Sequence, residues 1–252
     1  MDCNPVNTLA ELGLKQYKDH TEKKVDSILY KQIIGNLMYL TATRPDIMYS
    51  VSLISRYMKN PTEMHLSAAK RILHYLQGKR DFGLFYKKSE KFNLFGFTDS
   101  DYAGDQDDRK STLGYVFMFG SGAISWLAKK QPIVTLSTTE AKFIVACACA
   151  CQAIWLRRIL DELKFKQSEA TKIYCDNDSA IQLSKNPVLR ERSKHIDVKF
   201  YFLQDLSNNG TFDLIYCTSE DQVVDIFTKA LKTESFMKHR SLLDIDTIKD
   251  VN

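Results

Sequence analysis

Residues 95–117, FGFTDSDYAGDQDDRKSTLGYVF, decide how the chain folds. Phe92, Leu94, Phe95 and Phe97 are the apolar residues of a short β run, and Asp99 stands where that run gives way to Ser, Gly and Asp. A carboxylate is thereby delivered to the end of a strand in mid-sheet, a rigid place to hold charge. Asp101, Asp105, Asp107 and Asp108 follow closely. Such a crowd beside a buried strand is costly unless a cation joins it, and a divalent metal is the natural candidate. The competing reading is a solvated, Asp-rich turn.

Working outward, residues 113–119 and 123–128 read as two more strands, and Gly114 with the turn Gly120-Ser121-Gly122 gives the spacing of a β-meander. A long helix follows over about 138–166, then a strand at 171–175 and a short helix at 179–185 closed by Pro187. The basic segment LRERSKHIDVKFYFLQDL is helical in its second half, and a last strand, 211–216, leads into a helix over 221–231. Three strands followed by strand–helix alternation predict an α/β domain with a mixed sheet over residues 91–240.

Upstream, residues 1–27 form a polar lead-in, and 28–86 are helical. Tyr30, Ile33, Ile34, Leu37 and Met38 recur at helical steps, Pro45 opens a second helix, and a third runs from about Thr62 to Gln77, ended by Gly78. These helices are expected to be a unit of their own, with no chemistry-bearing constellation. Residues 241–252 are expected to be a flexible tail.

With 252 residues and 44% hydrophobic content, the chain can bury a sizeable core, and its net charge of +4 permits nucleic-acid binding without announcing it. The six cysteines form no CxxC pair, and Cys147, Cys149 and Cys151 alternate inside a run that reads as buried helix. That pattern is packing rather than a zinc site, and fits a reducing compartment. The first residues lack a signal pattern, and no apolar run is expected to approach membrane-spanning length. Cytosolic or nuclear residence is the default expectation, with neither membrane nor small-molecule cofactor.

Three further acids fall where this layout brings them toward Asp99. Glu140 opens the long helix in Ser137-Thr138-Thr139-Glu140, a pattern that equally makes a capping box. Asp176 closes the strand KIYC, at a strand end favoured for ligands, and equally suits a helix N-cap. Asp225, in QVVDIFTKAL, lies off the buried stripe, as residues of a solvated face do. Together the four supply the carboxylates that a pair of divalent ions needs.

TDSDYAGDQDDRKSTLGYVF, AISWLAKKQPIVTLSTTEAKF, CDNDSAI, RSKHIDVKF and EDQVVDIFTKAL, in this order, resemble the ribonuclease H domain of copia-type retrotransposon Pol polyproteins. YKQIIGNLMYLTATRPDIMYSVSLISRYM and HLSAAKRILHYLQGKRDFGLFYKK resemble the segment between reverse transcriptase and ribonuclease H. The resemblance implies a ribonuclease H-like five-stranded mixed sheet flanked by helices. It also implies hydrolysis of the RNA strand of RNA/DNA hybrids with two Mg²⁺ ions, for which Mn²⁺ can substitute. Asp99 is then the acid bridging both ions, Glu140 and Asp176 complete the leaving-group ion, and Asp225 helps hold the ion that activates water.

Two stretches depart from the family: Tyr102 replaces a Trp, and Lys142-Phe143 replace Glu-Tyr. Neither is expected to be a required ligand, though Lys142 is placed to disturb a metal site. Tyr-x-Asp-Asp, the polymerase signature, is absent, so no copying activity is expected; the remainder of a reverse transcriptase is a possible partner. Arg109, Lys110, Lys129, Lys130, Arg190, Arg192 and Lys194 are candidates for backbone phosphates. His195 joins them as a weak nucleic-acid contact and is not assigned to catalysis.

Overall fold

A computed structural model describes residues 4–19, 21–88, 92–185 and 197–247. Three helices come first: α1 (Ser27–Leu40), α2 (Met48–Ser55) and α3 (Glu63–Gln77). Asp26 caps α1 by accepting from the Ile28 amide, and Pro45 opens a 3-10 turn that leads into α2. The chain continues as β1 (Phe82–Leu84), β2 (Leu94–Ser100), β3 (Thr112–Phe119) and β4 (Gly122–Lys130). Then come α4 (Thr138–Glu162), β5 (Thr171–Cys175), α5 (Asp178–Lys185), α6 (Asp197–Asn208) and β6 (Phe212–Tyr216). Two helices, α7 (Asp225–Thr228) and α8 (Thr233–Leu242), and a last strand, β7 (Ile245–Thr247), complete it.

The main sheet has the order β4-β3-β2-β5-β6. Its first three strands are antiparallel, while β5 runs parallel to both β2 and β6. This is the five-stranded mixed sheet flanked by helices that the motifs imply. On one face lie α4, α5 and α6, with Phe143, Cys149, Ala153, Ile173, Phe200 and Phe212 at the core. By length and composition α4 is apolar enough to cross a membrane, contrary to the sequence expectation. Its apolar residues are instead spent on packing against the sheet.

The other face is covered by the N-terminal helices together with α7 and α8. Tyr30, Ile34, Ile47 and Ile72 share one core with Val116, Met118, Ala128 and Phe227, so the helices are a layer of the domain rather than a unit of their own. The Trp126 indole donates to the Thr41 carbonyl at 2.9 Å across this seam. The lead-in is anchored too: Leu9 is buried, and Tyr57 Oη donates to the Gln16 carbonyl at 2.8 Å.

Two further expectations are corrected. The helix expected over 221–231 is short α7, after which the backbone extends at Lys229 and turns into α8; no Gly or Pro marks the break. The tail expected to be flexible from 241 is built in as far as 247: β7 pairs antiparallel with β1, and Leu243 and Ile245 are fully buried. These two buried side chains and the ladder to β1 anchor the segment.

Candidate active site

The site is assembled by strand register. Phe97 pairs with Tyr174 in the parallel β2–β5 ladder, so two residues further along each strand Asp99 and Asp176 come side by side. On the other side of β2, Asp99 pairs with Gly114 of β3. A Cβ at Gly114 would stand 2.9 Å from side-chain atoms of Val224 and Thr228, so the missing side chain is what lets α7 lie directly on the strand. That contact brings Thr228 Oγ1 within 2.7 Å of Asp99 Oδ2, to which it donates. Asp225 is the first residue of the same helix.

The remaining Asp99 oxygen faces a lysine. Lys142 Nζ lies 3.0 Å from Asp99 Oδ1 and 2.5 Å from Asp176 Oδ1. Lys142 is only 9% exposed. Burial favours its neutral form, but the charges of Asp99 and Asp176 and their hydrogen bonds outweigh this and raise its pKa. Ser219 Oγ lies 3.4 Å from the second oxygen of Asp176. Gln131 Nε2 fixes the arrangement by donating to Ser100 Oγ at the end of β2 and to the Ala141 carbonyl at the start of α4, each at 3.0 Å.

Asp225 belongs to the same electrostatic group. Burial pushes its carboxyl up to about 6, helped by the charges of Asp99 and Asp176 and opposed by Lys229, whose ammonium is 2.8 Å away. Its Oδ1 is buried without a hydrogen-bond partner among the described residues.

Glu140 plays the capping part of its two readings. Its amide donates to Ser137 Oγ at 3.1 Å, and its Oε2 accepts from the Leu136 amide at 2.8 Å. Positions two apart on an α-helix are separated by roughly 200° around the axis. Lys142 faces Asp99 and Asp176, so Glu140 is turned away from that pair. The expectation that Glu140 joins Asp176 as a ligand does not fit this geometry, whereas the expectation that Lys142 is placed to disturb a metal site matches where its ammonium stands. The available signal was a single charge inside the apolar run AKFIVACACACQAIWL, since a buried lysine needs an acidic partner.

The Asp-rich loop also finds its cations within the chain. Asp105 lies 3.0 Å from Arg56 Nη1 and 2.7 Å from Lys130 Nζ, which also reaches Asp108 at 3.0 Å. Burial works to raise the Asp105 pKa, but Lys130 and Arg56 prevail and hold it at about 2. Asp101 accepts from the Thr112 amide, and burial pushes its carboxyl up to about 6.

Among the described residues, no group of three or more His, Cys, Asp and Glu is arranged to hold a metal ion. The acids do not fit a pair of divalent ions as folded: an ammonium stands between Asp99 and Asp176, and Glu140 serves the helix end. Of the nucleic-acid candidates, Arg109 and Lys129 are exposed, Lys110 is half-buried, and Lys130 is committed to Asp105 and Asp108. Arg190, Arg192, Lys194 and His195 lie outside the described residues.

Sheet order, flanking helices and paired acids at the ends of adjacent parallel strands define a ribonuclease H-like domain. Comparison with known sequences shows that the chain is homologous, over about nine tenths of its length, to a segment of retrovirus-related Pol polyproteins of plant transposons. It is 38% identical over 226 residues to the Pol polyprotein from transposon RE1 of Arabidopsis thaliana, covering 90% of this chain and 15% of the polyprotein. It is 41% identical over 242 residues to that from transposon TNT 1-94 of Nicotiana tabacum, covering 93% of this chain and 18% of the polyprotein. The chain thus spans less than a fifth of these relatives. No family model matches it. Among solved structures, LC11-RNase H1 in complex with RNA/DNA hybrid aligns with a TM-score of 0.39 and 12% identity, covering 54% of this chain and 94% of that one.

Proposed function

We propose that the chain is a ribonuclease H-like domain that holds RNA/DNA hybrid without hydrolysing it. The observation that carries this reading is the Lys142 ammonium shared by Asp99 and Asp176. Two-metal phosphodiester hydrolysis needs carboxylates free to take divalent ions, with open positions for water and a phosphate oxygen. Here an ammonium of the same fold bridges the two strand-end acids and offsets one of their two charges.

Hybrid as the ligand is supported by kinship with Pol polyproteins and by the basic rim beside the site. Lys129 pairs across the ladder with Leu113, which pairs with Ser100 next to Asp99, and Arg109 and Lys110 sit in the loop that follows β2. These residues suit backbone phosphates, so recognition rests on duplex shape and 2′-hydroxyls rather than on bases. A reverse transcriptase region is the natural neighbour of such a domain in a polyprotein.

One observation favours the alternative, an endoribonuclease using two Mg²⁺ ions. The unpartnered Asp225 Oδ1 is an oxygen that a cation would satisfy. Fluorescence anisotropy with a labelled hybrid, alongside a cleavage assay in Mg²⁺, separates the readings. Salt-sensitive hybrid binding with no product above that of Asp99→Asn is expected. Mg²⁺-dependent cleavage that Asp99→Asn abolishes would restore the hydrolytic reading, and failure to bind hybrid would remove the proposed one.

A further inference from the structure

Lys142 is surrounded in sequence by Ala141, Phe143, Ile144 and Val145, all buried on α4, where an ammonium persists only beside acids. It meets two, carried by the ends of different strands, and the hydrogen bonds of Gln131 to Ser100 and Ala141 hold helix and strand at the spacing it bridges. Side-by-side carboxylates on parallel strands repel one another unless a positive charge lies between them.

We propose that Lys142 is a built-in cation that stands in for a divalent metal between Asp99 and Asp176, so that the folded chain needs no ion there and keeps Mg²⁺ and Mn²⁺ out. The inference rests on the reading of this site as a ribonuclease H-like acid cluster and adds how its ion requirement is met. Three physical points carry it. The ammonium is in contact with one oxygen of each carboxylate, in the place that an ion bridging them would take, so an ion can enter only if the lysine leaves. A lysine displaced from this pocket becomes a buried charge without its partners, which opposes its leaving. Tethering on the adjacent helix also gives the ammonium an effective concentration on the order of millimolar or more, at no cost in captured ion. The outcome is a site in which the repulsion between the two carboxylates is relieved by a side chain instead of by a ligand.

The test uses the full chain as wild type, Lys142→Met, Lys142→Glu and Asp176→Asn. Mn²⁺ binding is followed by paramagnetic resonance, and thermal melting is recorded in EDTA and in excess Mn²⁺. The wild type is expected to bind no Mn²⁺ at this pair and to melt at the same temperature in both buffers. Lys142→Met and Lys142→Glu are expected to melt lower than wild type in EDTA and to recover with Mn²⁺. Lys142→Glu, which adds a carboxylate where the ammonium stood, should bind Mn²⁺ at least about tenfold more tightly than wild type.

A variant that folds only when Mn²⁺ is present supports the proposal. A Mn²⁺ site in the wild type that Asp176→Asn removes overturns it, as does Lys142→Met melting like wild type in EDTA while gaining no Mn²⁺ binding. If neither Lys142 variant folds in any buffer, the wild-type titration decides alone. Hybrid binding, measured on the same wild-type protein, is a separate readout. Its loss removes the hybrid-binding part of the proposed function and leaves the built-in cation standing, whereas Mn²⁺ at the pair removes the built-in cation, and with it the ground for lack of hydrolysis, and leaves hybrid binding standing.

Discussion

Asp105 shows the same device as Lys142 at a second acid. Its side chain is buried against Arg56 and Lys130, whose charges hold its pKa at about 2 despite burial. The folded value lies below that of the unfolded chain, near 3.9, so the interaction contributes fully above that pH and is lost as pH falls toward 2. Urea unfolding of wild type and Asp105→Asn should therefore differ by about 2 kcal/mol at pH 6, with the gap closing toward pH 2; a gap independent of pH contradicts the assignment. Sequence reasoning foresaw that this run of acids needs positive charge but supplied it as metal, because Arg56 and Lys130 are distant in sequence and only folding brings them in. Asp99 and Asp176 were legible because a strand that ends in a carboxylate announces its own position. Glu140 misled because S-x-x-E serves a helix cap and a ligand equally well, and only the direction of Lys142 separates the two.

At the scale of elements, the placement of α7 turns on one absent side chain. Gly114→Ala puts a methyl where Val224, Phe227 and Thr228 already pack, and should destabilise the fold by about 1–3 kcal/mol in urea titrations while weakening the Thr228–Asp99 hydrogen bond; an unchanged midpoint would show that α7 does not need this approach. The start of α3 depends on a neutral imidazole. The Thr62 amide donates to His65 Nδ1 at 3.0 Å, which leaves the proton on Nε2, 3.1 Å from the Tyr17 carbonyl. Burial lowers the His65 pKa below its unfolded value near 6.5, so stability is present above that pH and declines as pH falls through it. Wild type should lose melting temperature between pH 7.5 and 5.5 more steeply than His65→Gln, and parallel curves would contradict this. The strands and most helices were legible from alternation, helical spacing and turn residues. The break between α7 and α8 was not, since it lacks a Gly or Pro, and β1 and β7 escaped because strands of three residues exist only through each other.

Across the whole molecule, the helical layer and the sheet are one packed body with a shared apolar core, and within the layer a buried polar network ties the N-terminal helices to α8. Arg44 clasps Asp46 through two bonds at 2.9 and 2.7 Å, Tyr75 Oη donates to Asp46 at 2.6 Å, and Arg240 of α8 donates to the Tyr75 hydroxyl at 3.3 Å. Asp46→Ala leaves the Arg44 guanidinium buried without its acid and should cost about 3–5 kcal/mol, read as a lowered urea midpoint; a loss under about 1 kcal/mol would mean the network is dispensable. This unity was hidden because amphipathic helices show which face is buried but not against what, so the run before residue 86 looked self-contained. The motif order gave the sheet domain its identity, whereas the ion balance of its acids is a property of the assembled fold. What lies between Asp99 and Asp176 decides whether the cation is built in or bound, and the most direct measurement is anomalous scattering from crystals of the wild-type protein grown in Mn²⁺. The Lys142 ammonium is expected in contact with both carboxylates with no anomalous peak there; a Mn²⁺ peak bound by Asp99 and Asp176, with Lys142 turned away, would contradict a built-in cation.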